Sequence, residues 1–147
     1  MTDFTPCIWA FFACVPFGAV MNIRGKTLFF ASLGGAIGWF FYLFANPLHN
    51  DIMQYFIATI AISVYSEIMA RVFKKPVTGF LLAAMLPMVP GGGIYYTMEY
   101  CVLGNNKLFL ETGLHTLGIA GALAMGTLLV SSLVRLWRII TEEKKIV

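Results

Sequence analysis

The chain has 147 residues, 59% of them hydrophobic and 12% charged, with ten Lys and Arg against seven Asp and Glu. Mean hydropathy is +0.81. Soluble domains hold about 45–50% apolar and about 25% charged residues, so this composition excludes a soluble globular or nucleic-acid-binding class. It predicts an all-α integral membrane protein forming a single transmembrane domain over residues 1–147.

Five apolar segments follow in chain order. The first runs over about 5–23, with Pro16 as a kink, and no basic residue precedes it, so a cleavable signal is not expected there. The second covers 27–45 and stops at Asn46-Pro47. The third covers 51–70, the fourth 77–103, and the fifth 111–137.

Basic residues fix an expected orientation. Arg24 and Lys26 follow the first segment, Arg71, Lys74 and Lys75 follow the third, and Arg135, Arg138, Lys144 and Lys145 follow the fifth. With five spans these nine share one side, and only Lys107 falls on the other. The N-terminus, with Asp3, is therefore expected outside and the C-terminus in the cytoplasm. The tail from Thr141 to Lys145 reads as a solvated helix end or a weak basic patch for anionic lipid.

Small residues recur every fourth position at Gly34 and Gly38, and at Gly118, Ala122 and Gly126. Such faces let helices approach closely, within one subunit or between two. Trp39, Phe40, Phe41, Tyr42 and Phe44 suggest an interfacial belt. Cys7, Cys14 and Cys101 lack a paired or metal-ligand spacing and read as small buried hydrophobes. Neither a metal nor a cofactor is expected.

The fourth segment is the unusual one. Pro87-Met88-Val89-Pro90-Gly91-Gly92-Gly93 interrupts its middle, and two prolines with three glycines hold no helix. About 12 residues from Pro76 rise roughly 18 Å, which places the break near the midplane of a hydrocarbon core about 30 Å thick. Irregular backbone is tolerated there only where protein covers it or it lines a watery cavity, as in the discontinuous helices of secondary transporters. A half-helix starting at Gly91 would aim free N–H groups and a positive dipole end at an anion such as a carboxylate. Carbonyls near Leu86 to Val89 would suit an ammonium or another cation. The alternative is a structural kink without a ligand.

Glu67 lies near the cytoplasmic end of the third segment. It is a candidate for proton coupling or gating, or simply a salt-bridge partner of Arg71 one turn on. Glu99 sits about 9 Å past the glycines on a polar half-helix with Tyr95, lining a substrate path or facing exterior water. His115 is a candidate proton relay; Thr112, Thr116, Thr127, Ser131 and Ser132 line a path or make interhelical hydrogen bonds. His115 and Ser131 stand about 24 Å apart on one helix, too far for a nucleophile–base pair, so an enzyme is not expected.

The segment from Lys75-Pro76-Val77 through Pro87-Met88-Val89-Pro90-Gly91-Gly92-Gly93-Ile94-Tyr95 resembles the signature of the threonine/serine exporter family, in its small-subunit or C-terminal half. The likeness spans roughly Pro16 to Arg138, and Glu67 followed by Arg71 matches an acidic residue before a basic loop. It implies five spans in this half, a larger partner subunit or self-association, and threonine or serine export driven by proton motive force across a bacterial inner membrane. In some split systems the cargo is the dicarboxylate succinate. By the same match Pro87, Pro90, Gly91, Tyr95 and Glu67 inherit functional roles. The other class left open is an accessory or scaffolding membrane protein that moves nothing.

Overall fold

The computed structural model describes residues 4–48 and 50–143. Asp3, Lys144 and Lys145, which entered the orientation argument, lie outside the described residues. The elements are α1 (Thr5–Val20), α2 (Lys26–Phe44), a 3-10 turn (Asn46–Leu48), α3 (Asp51–Phe73), α4 (Val77–Met85), a second 3-10 turn (Leu86–Met88), α5 (Gly91–Val102) and α6 (Asn106–Glu143). Among the described residues there is no strand.

The punctuation is local chemistry. Asn50 caps α3 by accepting a hydrogen bond from the Met53 N–H at 3.4 Å, and Asp51 sits in the first turn, where a negative charge suits the helix dipole. Lys74 ends α3 in the left-handed region, with φ 51°. Pro76 then starts α4, having no donor to lose. Gly104 takes φ 69° in the tight turn between α5 and α6, and the Asn105 side chain caps α6 by accepting from the Leu108 N–H at 3.3 Å.

Contacts order the helices between two ends. Ile62 of α3 packs on Gly38 of α2, and Tyr65 Oη donates to the Phe30 carbonyl at 2.8 Å, so α2 and α3 are antiparallel. On α6, Gly118 meets Ile52 and Gly126 meets Thr59, so α6 runs parallel to α3. Lys75 Nζ donates to Thr27 Oγ1 at 3.0 Å, which brings the loop before α2 and the loop before α4 together. Arg24, Lys26, Arg71, Lys74, Lys75, Arg135 and Arg138 therefore gather at one end, called the Lys75 end. Lys107 lies at the other, the Asp51 end.

Five legs run between these ends, counting α4 and α5 as one. The helices α2, α3 and α6 are long and apolar enough to cross a membrane, and the bent α4–α5 pair makes a fourth candidate. At 16 residues α1 is apolar but short of the about 20 that a span usually needs. It stops at Val20 rather than reaching Ile23, because Asn22 takes φ 58° and turns the chain. The helices of the third and fifth expected segments, α3 and α6, run past their expected limits, to Phe73 and over Asn106–Glu143. At 38 residues α6 is about 57 Å long, well beyond a hydrocarbon core.

The small faces are used inside the chain. A Cβ on Gly34 would lie 2.7 Å from Ala84 Cβ, Gly35 abuts Cys14 and Pro87, and Gly38 abuts Ile62 and Met88. Ala58, Ile62, Ala84, Met88, Ile119 and Leu123 form the main core, with Trp39 and Tyr42 packed against it. Two expectations are corrected here. Trp39 and Tyr42 belong to the core rather than to a belt, while Phe40, Phe41 and Phe44 remain exposed. Of the cysteines only Cys14 is buried, and Cys101 is exposed because α5 has no buried residue at all.

Because Gly34 faces the Cβ of Ala84 and the ring of Tyr65, which cannot both yield, Gly34→Val is expected to lose about 1–3 kcal/mol of stability. Gly121→Ala, with nothing near its Cβ, should be neutral or slightly stabilising. Thermal unfolding of the two variants in detergent checks the pair.

Candidate functional site

The expected break is present. The axes of Val77–Met88 and Gly91–Val102 differ by 52°. Pro87 and Pro90 supply no N–H, Val89 is extended at φ −63°, ψ 127°, and Pro90 precedes α5 without offering a side-chain cap. The Gly91 N–H donates to the Val89 carbonyl at 2.7 Å, and the Ile94 N–H to the Pro90 carbonyl at 3.1 Å. Between them the Gly92 and Gly93 N–H groups stand in the first turn of a helix, where no intrahelical acceptor exists.

The three glycines have separate surroundings. Gly91 and Gly92 face open space, with nothing within 4 Å of a Cβ placed on either. Gly93 abuts the Thr116 side chain of α6, so it is the packing glycine of the three. Thr97, one turn further on α5, comes within 3.3 Å of a Cβ on Gly113. The break thus climbs from Met88, buried beside Gly38 and Ile62, to Gly93 at the level of Thr116. From there α5 rises alongside Gly113 and the start of α6, beyond the first turn of α3.

On its free side α5 carries an open groove of about 300 Å³ lined by Tyr95, Met98, Glu99, Val102 and Leu103. Tyr95 is 65% exposed, and its ring meets that of Tyr96 edge-on at 5.4 Å between centroids. Among the sequence-derived candidates, then, the break residues Pro87, Pro90, Gly91, Gly92 and Gly93 lead directly into Tyr95 and Glu99. Glu67 is not part of this group. It lies sixteen residues down α3 from Asp51, a rise of about 24 Å. Among the described residues it has no ion pair with Arg71, the interaction held open as its alternative role.

His115 does have a partner, and it is one that the sequence reading passed over. Its Nε2 lies 3.5 Å from Asp51 Oδ2. Tyr42 Oη donates to the other carboxylate oxygen, Oδ1, at 2.5 Å, and the rings of Tyr42 and Tyr55 lie 4.9 Å apart. One carboxylate thereby joins α2, α3 and α6, one residue from the Thr116 contact with the break. The hydroxyls of α6 stay local, Thr116 donating to the Thr112 carbonyl at 2.7 Å and Thr127 to the Leu123 carbonyl at 3.1 Å.

Also missed were buried hydroxyls on α2 and α3. Ser32, Ser63 and Ser66 are buried and their oxygens have no hydrogen-bond partner. The sequence held a signal for those on α3: Asp51, Tyr55, Thr59, Ser63, Glu67 and Arg71 recur at every fourth position, an unbroken polar row along an apolar helix.

A bundle of apolar helices with one discontinuous leg is a form that many membrane transport proteins use. The profile of the family described as "Threonine/Serine exporter, ThrE" matches residues 6–133. The chain belongs to that family and is a membrane protein of the threonine/serine exporter kind. Comparison with curated proteins and with solved structures gives no significant match.

Tyr42→Phe removes the donor to Asp51 and is expected to cost about 1 kcal/mol or more, as for hydrogen bonds to charged groups. In an Asp51→Asn background the same change should cost clearly less. A double-mutant cycle on thermal stability in detergent measures the coupling.

Proposed function

We propose that the chain is the membrane subunit of a secondary exporter of threonine and serine in the bacterial cytoplasmic membrane. In this reading it crosses five times, with the N-terminus outside and the Lys75 end in the cytoplasm, and works beside a larger subunit of the same family. Transport is coupled to protons.

The observation that carries this reading is the uncapped start of α5. Two free N–H groups, a positive dipole end and two glycines open to space form a cradle for a carboxylate that needs no basic side chain. Glu99 is seven residues from Gly92, about 10 Å along the helix, too far to hold the ammonium of a molecule whose carboxylate sits on the glycines. It lines the way out, together with Tyr95. The basic residues of the Lys75 end agree with a cytoplasmic location by the positive-inside rule. The exposed Ile94, Tyr95, Tyr96, Met98 and Val102 of α5 agree with a further subunit against that helix.

Gly92→Val tests the cradle. Its Cβ meets no protein atom and valine is a better helix former than glycine, so folding is expected to be unchanged. Efflux of labelled threonine from cells carrying the variant should fall at least tenfold relative to the parent. Unchanged efflux contradicts the cradle; loss of succinate efflux rather than threonine efflux assigns the site to a dicarboxylate. If deleting the gene alters neither, the chain is an accessory protein.

A further inference from the structure

Packing explains the polar row of α3 only in part: Thr59 seats against Gly126, but the Ser63 hydroxyl has no partner. A buried hydroxyl without a partner costs free energy, and apolar residues would serve a helix contact better. Yet Ser63 is 3% exposed with an unsatisfied oxygen, while Thr59, fully buried against Gly126, donates its hydroxyl to the Tyr55 carbonyl at 2.7 Å. Ser66, fully buried and equally unsatisfied, flanks the row beside Glu67. Residues four apart on a helix have Cβ atoms about 5–6 Å apart, a gap that one water spans with two hydrogen bonds of about 2.8 Å. Both ends of the row are carboxylates. Asp51 is engaged by Tyr42 Oη and by His115, whose side chain reaches outside water. Glu67 is half-buried near the Lys75 end.

We propose that this row is the proton path of the exporter, with the Asp51–His115 pair as its entry and Glu67 as its exit. The proposal rests on the exporter reading above and supplies the coupling residues for it. A proton from water at the Asp51 end adds to the His115 imidazole. It passes from Nε2 to Asp51 Oδ2, moves by way of water and the Thr59 and Ser63 hydroxyls to the Glu67 carboxylate, and leaves to water at the Lys75 end. Each transfer forms one N–H or O–H bond as another breaks, and no group is left altered. The other titratable groups at the entry are Tyr42 on α2, Tyr55 on α3 and Glu111 one turn before His115 on α6. At the exit they are Arg71 on α3 with Arg135 and Arg138 on α6.

The test uses vesicles made from host membranes containing the full chain and its natural neighbours, with threonine on both sides. Proton entry under an imposed potential is followed by a trapped pH-sensitive dye, and exchange of labelled for unlabelled threonine is followed in parallel. Asp51→Asn, Ser63→Ala and Glu67→Gln should each slow proton entry at least tenfold and leave threonine exchange within about twofold of the parent. Ser63→Ala separates a path from a packing role, because deleting an unsatisfied buried hydroxyl should not lower stability. Ser63→Thr, which keeps the hydroxyl, should restore proton entry. Parental proton entry in Asp51→Asn or Ser63→Ala, or none in the parent above vesicles lacking the chain, overturns the path. Row-dependent proton entry with no threonine exchange keeps the path and overturns the exporter reading.

Discussion

A peptide group in hydrocarbon has no water to bond, and that constraint shapes the whole molecule. Most legs of this bundle satisfy it with continuous helix. The fourth does not, because Pro87 and Pro90 delete donors and Val89 between them is extended. The surrounding chain answers in two ways. Below the break, Met88 is fully buried beside Gly38 and Ile62, so the end of the first half is sealed by protein. Above it, Gly93 is held by Thr116, while Gly91 and Gly92 are left open.

The close helix contacts exist to place the break. Gly34, Gly35 and Gly38 let α2 approach α3, α4 and α1 at once, and this is what brings Met88 and Pro87 against a rigid wall. Gly118 and Gly126 do the same between α3 and α6. Dispersion between such faces replaces the hydrophobic drive that a lipid solvent does not supply. Tyr42, Asp51 and His115 then add a polar tie among α2, α3 and α6 at the end where α5 departs. The result is a firm base of α2, α3, α4 and the part of α6 beside α3, with α1 alongside it, carrying a less supported arm of α5 and the start of α6.

Much of this was legible in the sequence, for identifiable reasons. The all-α membrane class follows from composition, and the break follows from the two closely spaced prolines, whereas the glycines expected to hold no helix form the first turn of α5. Its depth was less accurate. Counting from Pro76 placed it at the midplane, whereas the contacts run it from Gly38 up to the level of the first turn of α3, with Val89 extended between the two halves. Glu67 and His115 stood out because charge is rare in apolar segments, but nothing local showed that His115 reaches Asp51. That pairing depends on α6 running parallel to α3 over a long sequence separation. Asp51 was hidden by its place at a helix start, where an acid is ordinary. The row from Asp51 to Arg71 was in plain view at a spacing of four and was masked by Ser and Thr being common helix-packing residues.

Amide hydrogen exchange at Gly91, Gly92 and Gly93 in lipid nanodiscs tests the central claim most directly, because it reads whether these peptide groups meet water. The account predicts that they exchange far faster than Phe80 to Ala84 below and Thr97 to Cys101 above, and that threonine slows them selectively. Protection equal to that of both flanks, unchanged by threonine, would mean that the helix is sealed there and the account is wrong.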